Sequence, residues 1–126
     1  MSKPYYVKFD TPQDLVNAIY EAVRLAKQSG LVRKGTNETT KAIERGISKL
    51  VIIAEDVEPP EVVAHLPILC DERTSKYVFV PSKKDLGNAL GIEVGSAAAT
   101  IIDAGESQQI LEQITSTVDN LKNKSE

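Results

Sequence analysis

The chain has one cysteine, Cys70, and one histidine, His65, in 126 residues. A lone thiol closes no internal disulfide, and one thiol with one imidazole falls short of the ligands of a Cys/His zinc site. A Ser-His-Asp or Cys-His catalytic set would have to use His65, whose neighbours Ala64 and Leu66 point instead to a partly buried, packing histidine. Glycine and proline are sparse, at 7 and 6 residues, which excludes collagenous and largely disordered chains. No apolar run approaches the roughly 18 to 20 residues of a membrane span. Met1 to Asp10 has neither an apolar signal core nor a small-residue cleavage site, so the expected setting is the cytosol or nucleus, away from membranes.

What is present fits one domain spanning 1–126, with 41% hydrophobic and 26% charged residues. A chain of this size buries roughly two-thirds of its unfolded surface. The net charge of -3 argues on its own against a nucleic-acid binder. It conceals a dipole, however. Arg24 to Lys49 carries Arg24, Lys27, Arg33, Lys34, Lys41, Arg45 and Lys49 against Glu38 and Glu44, a balance of +5. Leu50 to Glu72 carries six acids and no Lys, a balance of -6 until Arg73. A polyanion therefore has a landing surface despite the acidic total.

Hydropathy and punctuation outline alternating helices and strands. Thr11 reads as an N-cap before Pro12, Leu15 to Ala26 carry a helical stripe, and Gly30 reads as a left-handed stop. Leu31 to Gly35 is a short extended piece, and Thr36 or Asn37 caps a second helix ending near Gly46. Leu50-Val51-Ile52-Ile53 has no alternation, as expected of a central strand covered on both faces. Pro59-Pro60 opens a short helix through Leu66, Ile68 to Cys70 is a separate apolar segment, and Tyr77 to Val80 is a strand stopped by Pro81. Ser82 caps a further helix to about Leu90, Ile92 to Gly95 form a loop, Ala97 to Ile102 a small-residue strand, and Glu106 to Lys122 the last helix, with a fraying tail. The expected class is α/β, with helices on both faces of a sheet of about four strands.

Few residues offer chemistry. Glu55, Asp56, Glu58 and Glu61 supply oxygens for a divalent cation, but their spacing matches no calcium loop, and a solvated acidic loop is the simpler reading. Gly87, Gly91 and Gly95 form neither a dinucleotide fingerprint nor a Walker loop and read as helix termination and a tight loop. Arg33 to Lys41 is different, because it gathers amide, carboxylate and ammonium groups at a helix start. Asn and Lys donate to acceptors on purine edges, Glu accepts from exocyclic amines, and helix N-terminal amides suit phosphate. Asn37 and Lys41 share a helix face with Glu38 beside them. Equally, Asn37 and Glu38 can serve only as cap and dipole partner.

Gly35-Thr36-Asn37-Glu38-Thr39-Thr40-Lys41, Arg45-Gly46, Leu50 to Pro59, His65 to Cys70 and Val80 to Gly87 together resemble the archaeal L-seven-Ae ribosomal protein family, over about Leu15 to Val118. The resemblance implies a non-enzymatic three-layer α-β-α sandwich with a central mixed sheet and no cofactor. Its RNA target would be the kink-turn, a helix-bulge-helix with tandem sheared G·A pairs, or the related kink-loop. By the same resemblance, Asn37, Glu38 and Lys41 enter the major groove at the G·A pairs, with the backbone of Gly35 and Thr36 close by. Arg33, Lys34, Arg45 and Lys83 contact phosphates, and Glu58 and Val62 lie near the extruded nucleotide. Ile92-Glu93-Val94 matches the archaeal form, where eukaryotic spliceosomal relatives carry Val-Ser-Arg, and implies broad RNA preference; equally, Ile92 and Val94 can simply plug the end of the core. The implied setting is cytoplasmic: the large ribosomal subunit (ribosomal RNA), the C/D and H/ACA guide RNA particles with protein subunits such as the fibrillarin scaffold, and ribonuclease P in tRNA processing. The alternatives are a small metal-dependent α/β enzyme and a protein-binding scaffold, both using the acidic loop.

Overall fold

A computed structural model describes residues 3–125, with side chains described through residue 123. The elements in chain order are α1 (Gln13–Ser29), β1 (Leu31–Lys34), α2 (Thr36–Glu44), β2 (Leu50–Ala54), α3 (Glu61–Arg73), β3 (Tyr77–Val80), α4 (Lys83–Ala89), β4 (Ala98–Asp103) and, after a single 3-10 turn, α5 (Gln108–Ser125). The four strands lie in the order β1-β4-β2-β3, with β2 parallel to β3 and antiparallel to β4, and β1 antiparallel to β4. The sheet is therefore mixed, and β2 is interior as its uninterrupted apolar run predicts. All five of its residues are buried. Such burial needs cover on both faces, which α1 with α4 and α5 on one side and α2 with α3 on the other supply.

Several local expectations fail for identifiable reasons. The Thr11 hydroxyl caps nothing: it is buried without a hydrogen-bond partner, and α1 starts after Pro12. Gly30 ends α1 at φ -135° and ψ -131°, outside the left-handed region. It is needed because a side chain there would collide with the Asp103 carbonyl. Ile68 to Cys70 are not a separate segment but part of α3, which runs through Pro67. Val63, Leu66, Pro67 and Cys70 recur at helical spacing and are all buried, so packing of that face outweighs the hydrogen bond the proline nitrogen cannot donate. Burial also pushes the Cys70 thiol up to about 12, leaving it a neutral packing group. The polar tail is assigned to α5 through Ser125, and Glu126 lies outside the described residues.

The segment before α1, which carries no periodicity, is a strap. Tyr6 and Phe9 are buried and pack with Tyr77 and Phe79 of β3, with Phe9 and Phe79 ring centroids 5.2 Å apart. The Tyr6 hydroxyl donates to the Ala54 carbonyl oxygen at 2.7 Å, tying the strap to the end of β2.

Gly87 lies inside α4 and does not terminate it. A Cβ at Gly87 would run into the Val94 carbonyl, so the absence of a side chain lets the Ile92–Gly95 loop lie on the helix. Gly87→Ala should cost about 1 to 3 kcal/mol, the usual range for overpacking a closed contact. Thermal denaturation checks this, and an unchanged midpoint would mean that the loop does not rest on α4.

Candidate nucleic-acid interface

Sheet register decides which loops meet. Lys34 pairs with Ala99, Ile53 with Ala98, and Ala54 with Val80. The C-terminal ends of β1, β2 and β3 and the N-terminal end of β4 therefore lie at one end of the sheet. The segments that follow or precede them, Gly35 to Asn37, Glu55 to Pro60, Pro81 to Lys83 and Ile92 to Ala97, gather there. Backbone bonds stitch them together: Gly35 N–H to Ala98 O at 2.8 Å, Ala54 N–H to Ala97 O at 2.9 Å, and Ser96 N–H to Lys83 O at 2.9 Å. The Lys83 N–H donates to the Asp56 carboxylate at 2.9 Å. Arg33, Lys34, Gly35, Thr36, Asn37, Glu38, Glu58, Val62, Lys83, Ile92, Glu93 and Val94 thus belong to four chain segments that share one end. Lys41 and Arg45 extend from it along α2, since Arg45 is nine residues from Thr36 and about 14 Å along the axis.

Helix α2 begins without a side-chain cap. Its N-cap is Gly35, at φ 93°, a region that a side chain disfavours, and nothing lies within 4 Å of where a Cβ would stand. Thr36 and Asn37, expected as caps, are instead its first two helical residues. The buried Thr39 hydroxyl donates to the Gly35 carbonyl at 2.7 Å and that of Thr40 to the Thr36 carbonyl at 2.8 Å, which braces the first turn from within. The Asn37 side chain is exposed and makes no hydrogen bond among the described residues, so the capping role does not hold. Thr39, Ala42 and Ile43 are buried, while Asn37, Lys41 and Arg45, each four residues from the next, form an exposed stripe. Glu38 meets Lys41 at 3.3 Å, a solvated pair of small energetic weight.

His65 is not a buried packing residue. It is exposed on α3 with its Nε2 3.0 Å from the Thr40 hydroxyl. The acidic loop is also engaged rather than simply solvated. Glu55, its side chain only 10% exposed, pairs with Lys3 at 2.8 Å, and Asp56 holds the Lys83 amide. Among the described residues no group of three His, Cys, Asp or Glu side chains can hold a metal ion. Arg33, Lys34, Arg45 and Lys83 are exposed and have no ion pair among the described residues. In the 92–94 loop the two apolar residues divide: Ile92 packs against the core, whereas Val94 is 70% exposed. Val62, at 41% exposure, presents a further apolar surface at the start of α3.

Sequence reasoning missed three supports of this end: Thr39 under Gly35, Asp56 between two loops, and the strap residue Lys3 on Glu55. Only the aromatic spacing of Tyr6 and Phe9 signals that the strap is anchored.

The chain is similar to known proteins in sequence and in fold. A family model described as "Ribosomal protein L7Ae/L30e/S12e/Gadd45 family" matches residues 17–111. The large ribosomal subunit protein eL8 of Nitrosopumilus maritimus is 65% identical over 122 residues, covering 97% of this chain and 95% of that protein. The eL8 of Cenarchaeum symbiosum is 68% identical over 122 residues, with 97% and 96% covered. Among solved structures, the Giardia lamblia 15.5kD RNA binding protein superposes with a TM-score of 0.85 at 31% identity, covering 95% of this chain and 99% of that one. The class is that of non-enzymatic ribosomal-type proteins with an RNA-binding fold. Within it, the chain belongs to the L7Ae/L30e/S12e/Gadd45 ribosomal protein family.

An unbonded Asn37 and a bonded Thr39 behave differently when removed. Asn37→Ala should leave stability within about 0.5 kcal/mol of wild type, as for surface sites without partners. Thr39→Val should lose about 1 kcal/mol with its buried hydrogen bond. Urea denaturation of both variants checks the pair, and a clear loss for Asn37→Ala would restore the capping role.

Proposed function

We propose that the chain binds kink-turn and kink-loop RNA through this end of the sheet and holds the RNA in its bent form. The observation that carries the reading is the exposed, unbonded Asn37 carboxamide, set with Glu38 and Lys41 on a helix start whose approach is left clear by Gly35. Amide, carboxylate and ammonium there match the acceptors and exocyclic amines of sheared G·A pairs. The backbone of Gly35 and Thr36 comes close to the RNA. Arg33, Lys34, Arg45 and Lys83 meet phosphates, and Glu58 with Val62 receives the extruded nucleotide.

The mechanism is capture. Free kink-turn RNA is bent in a minor fraction, and a protein that binds only the bent form draws the population toward it. Moving such an equilibrium from 1:99 to 99:1 takes about 5.5 kcal/mol of differential affinity, which a few base and phosphate contacts supply without catalysis. The names of the eL8 relatives support a place in the large ribosomal subunit. The family resemblance extends the reading to C/D and H/ACA guide particles, with subunits such as the fibrillarin scaffold, and to ribonuclease P RNA, all in the cytoplasm. The 92–94 loop would set breadth: Val94 offers only apolar contact, whereas an arginine there adds a charged fork for phosphate or guanine.

A gel shift with a kink-turn RNA and a copy lacking its G·A pairs tests the reading. Wild type should retard the first and not the second. Asn37→Ala and Glu38→Ala should each cost about 1 to 3 kcal/mol and lower discrimination, while Arg45→Ala should weaken all RNAs alike and reduce the salt slope by about one. Val94→Arg should change the ranking of kink-turns that differ in bulge sequence. Equal binding of both RNAs, or wild-type affinity in the Asn37 and Glu38 variants, would contradict the assignment.

A further inference from the structure

A groove of about 420 Å³ runs along the open edge of β1; it shares Arg33, Lys34 and Glu38 with the surface assigned above and continues beyond it to Lys27 and Leu90. Its lining includes Lys27 from the last turn of α1, Val32, Arg33 and Lys34 from the strand, Leu90 at the end of α4, and Glu38 of α2. Strand β1 is at the sheet edge, so one side of its backbone has no neighbouring strand. The Gly35 N–H bonds to Ala98 across the ladder, and Arg33 lies opposite Thr100 in the same register. Alternation along the strand then turns the N–H groups of Val32 and Lys34 outward, into the groove. Lys27, Arg33 and Lys34 are exposed, and none has an ion pair among the described residues. The single acid, Glu38, is already paired with Lys41. The Lys27 ammonium lies beside Gly91, where a Cβ would displace it, so the glycine leaves room for the cation at the wall of the groove.

Two unpaired cations and two outward amides on a four-residue strand about 13 Å long, with Lys27 of α1 beside them, make an anion track. It is continuous with the α2 start through Lys34 and Glu38. We infer that this groove carries the phosphodiester backbone of an RNA arm flanking the kink, with Lys27 as a phosphate contact. The inference rests on the proposed kink-turn binding and extends its footprint from the tip of α2 along β1 toward α1. Continuity with the base-reading helix selects RNA over an acidic peptide as the occupant.

The test uses the full chain and three kink-turn RNAs: one with both arms short, and two in which one arm or the other is lengthened by about one helical turn. Filter binding is measured from 50 to 200 mM salt for wild type, Lys27→Gln and Lys27→Arg, with thermal midpoints in parallel. Lengthening one arm should strengthen wild-type binding and steepen its salt dependence. Lys27→Gln should remove that gain. One fewer phosphate contact makes its loss of affinity over the fourfold salt range smaller by about 3.5-fold. Lys27→Arg should keep both gain and slope, and Lys27→Gln should bind the short-armed RNA like wild type. If Lys27→Gln keeps the long-arm gain, or weakens short and long RNAs equally with a lowered midpoint, Lys27 is structural and the track is wrong. If wild type binds the short kink-turn but gains nothing from either arm, the track alone fails. A wild type that binds none of them overturns both readings.

Discussion

The backbone hydrogen bond from Gly35 to Ala98, 2.8 Å long, holds the base of the exposed helix to the sheet. It continues the β1–β4 ladder one residue past the end of β1 and determines where α2 begins. With φ at 93°, Gly35 turns the chain sharply enough for a helix to start at the next residue. Thr39, buried below, pins the carbonyl of the same glycine. A strand end, a glycine and a threonine thus present Asn37 on a rigid support, which its proposed recognition role requires, since such a group must be held to within a fraction of an ångström.

The same constraint explains how an acidic protein can face an anion. Glu55 and Asp56, next to the site, are held by Lys3 and by the Lys83 amide, so part of the local negative charge is spent inside the fold. The cations on the opposite flank are left free to act. Over a Debye length of about 8 Å at physiological salt, a ligand at α2 responds to this local pattern and little to the net charge of the whole chain. The core takes no part in this asymmetry. Buried β2 and β3 supply a stiff platform, and the aromatic strap closes it.

Much of the fold is legible in the sequence because its signals are strong and local. The unalternating run of β2 announces a strand buried on both faces, and Ser82 caps α4 as read, its hydroxyl accepting from the Asp85 amide at 3.1 Å. The reading fails where tertiary contacts overrule local chemistry. Pro67 does not break α3 because three buried neighbours hold its face. Thr11 has the chemistry of a cap but not the geometry. Gly30 is required by a backbone distant in sequence, at Asp103, and Gly87 by the loop that folds back at Val94, which no local pattern reveals. At the candidate site, residue types and spacing on α2 were readable, since a helix fixes which side chains share a face. The convergence of Glu58, Lys83 and Ile92 to Val94 was not, because it follows from strand order and register. Only the family resemblance brought those residues together beforehand.

The central claim is that one end of the sheet, and not α5 or the exposed face of α3, receives the RNA. Titrating the isotope-labelled protein with a kink-turn RNA while following backbone amide signals by NMR tests it most directly. The account predicts shifts and broadening concentrated in Arg33 to Lys41, Glu55 to Val62, Ser82 to Lys83 and Ile92 to Ala97, with the middle of α5 unmoved. Shifts centred on α5, or on the exposed face of α3 around Ile68, with Gly35 to Glu38 unchanged, would contradict it.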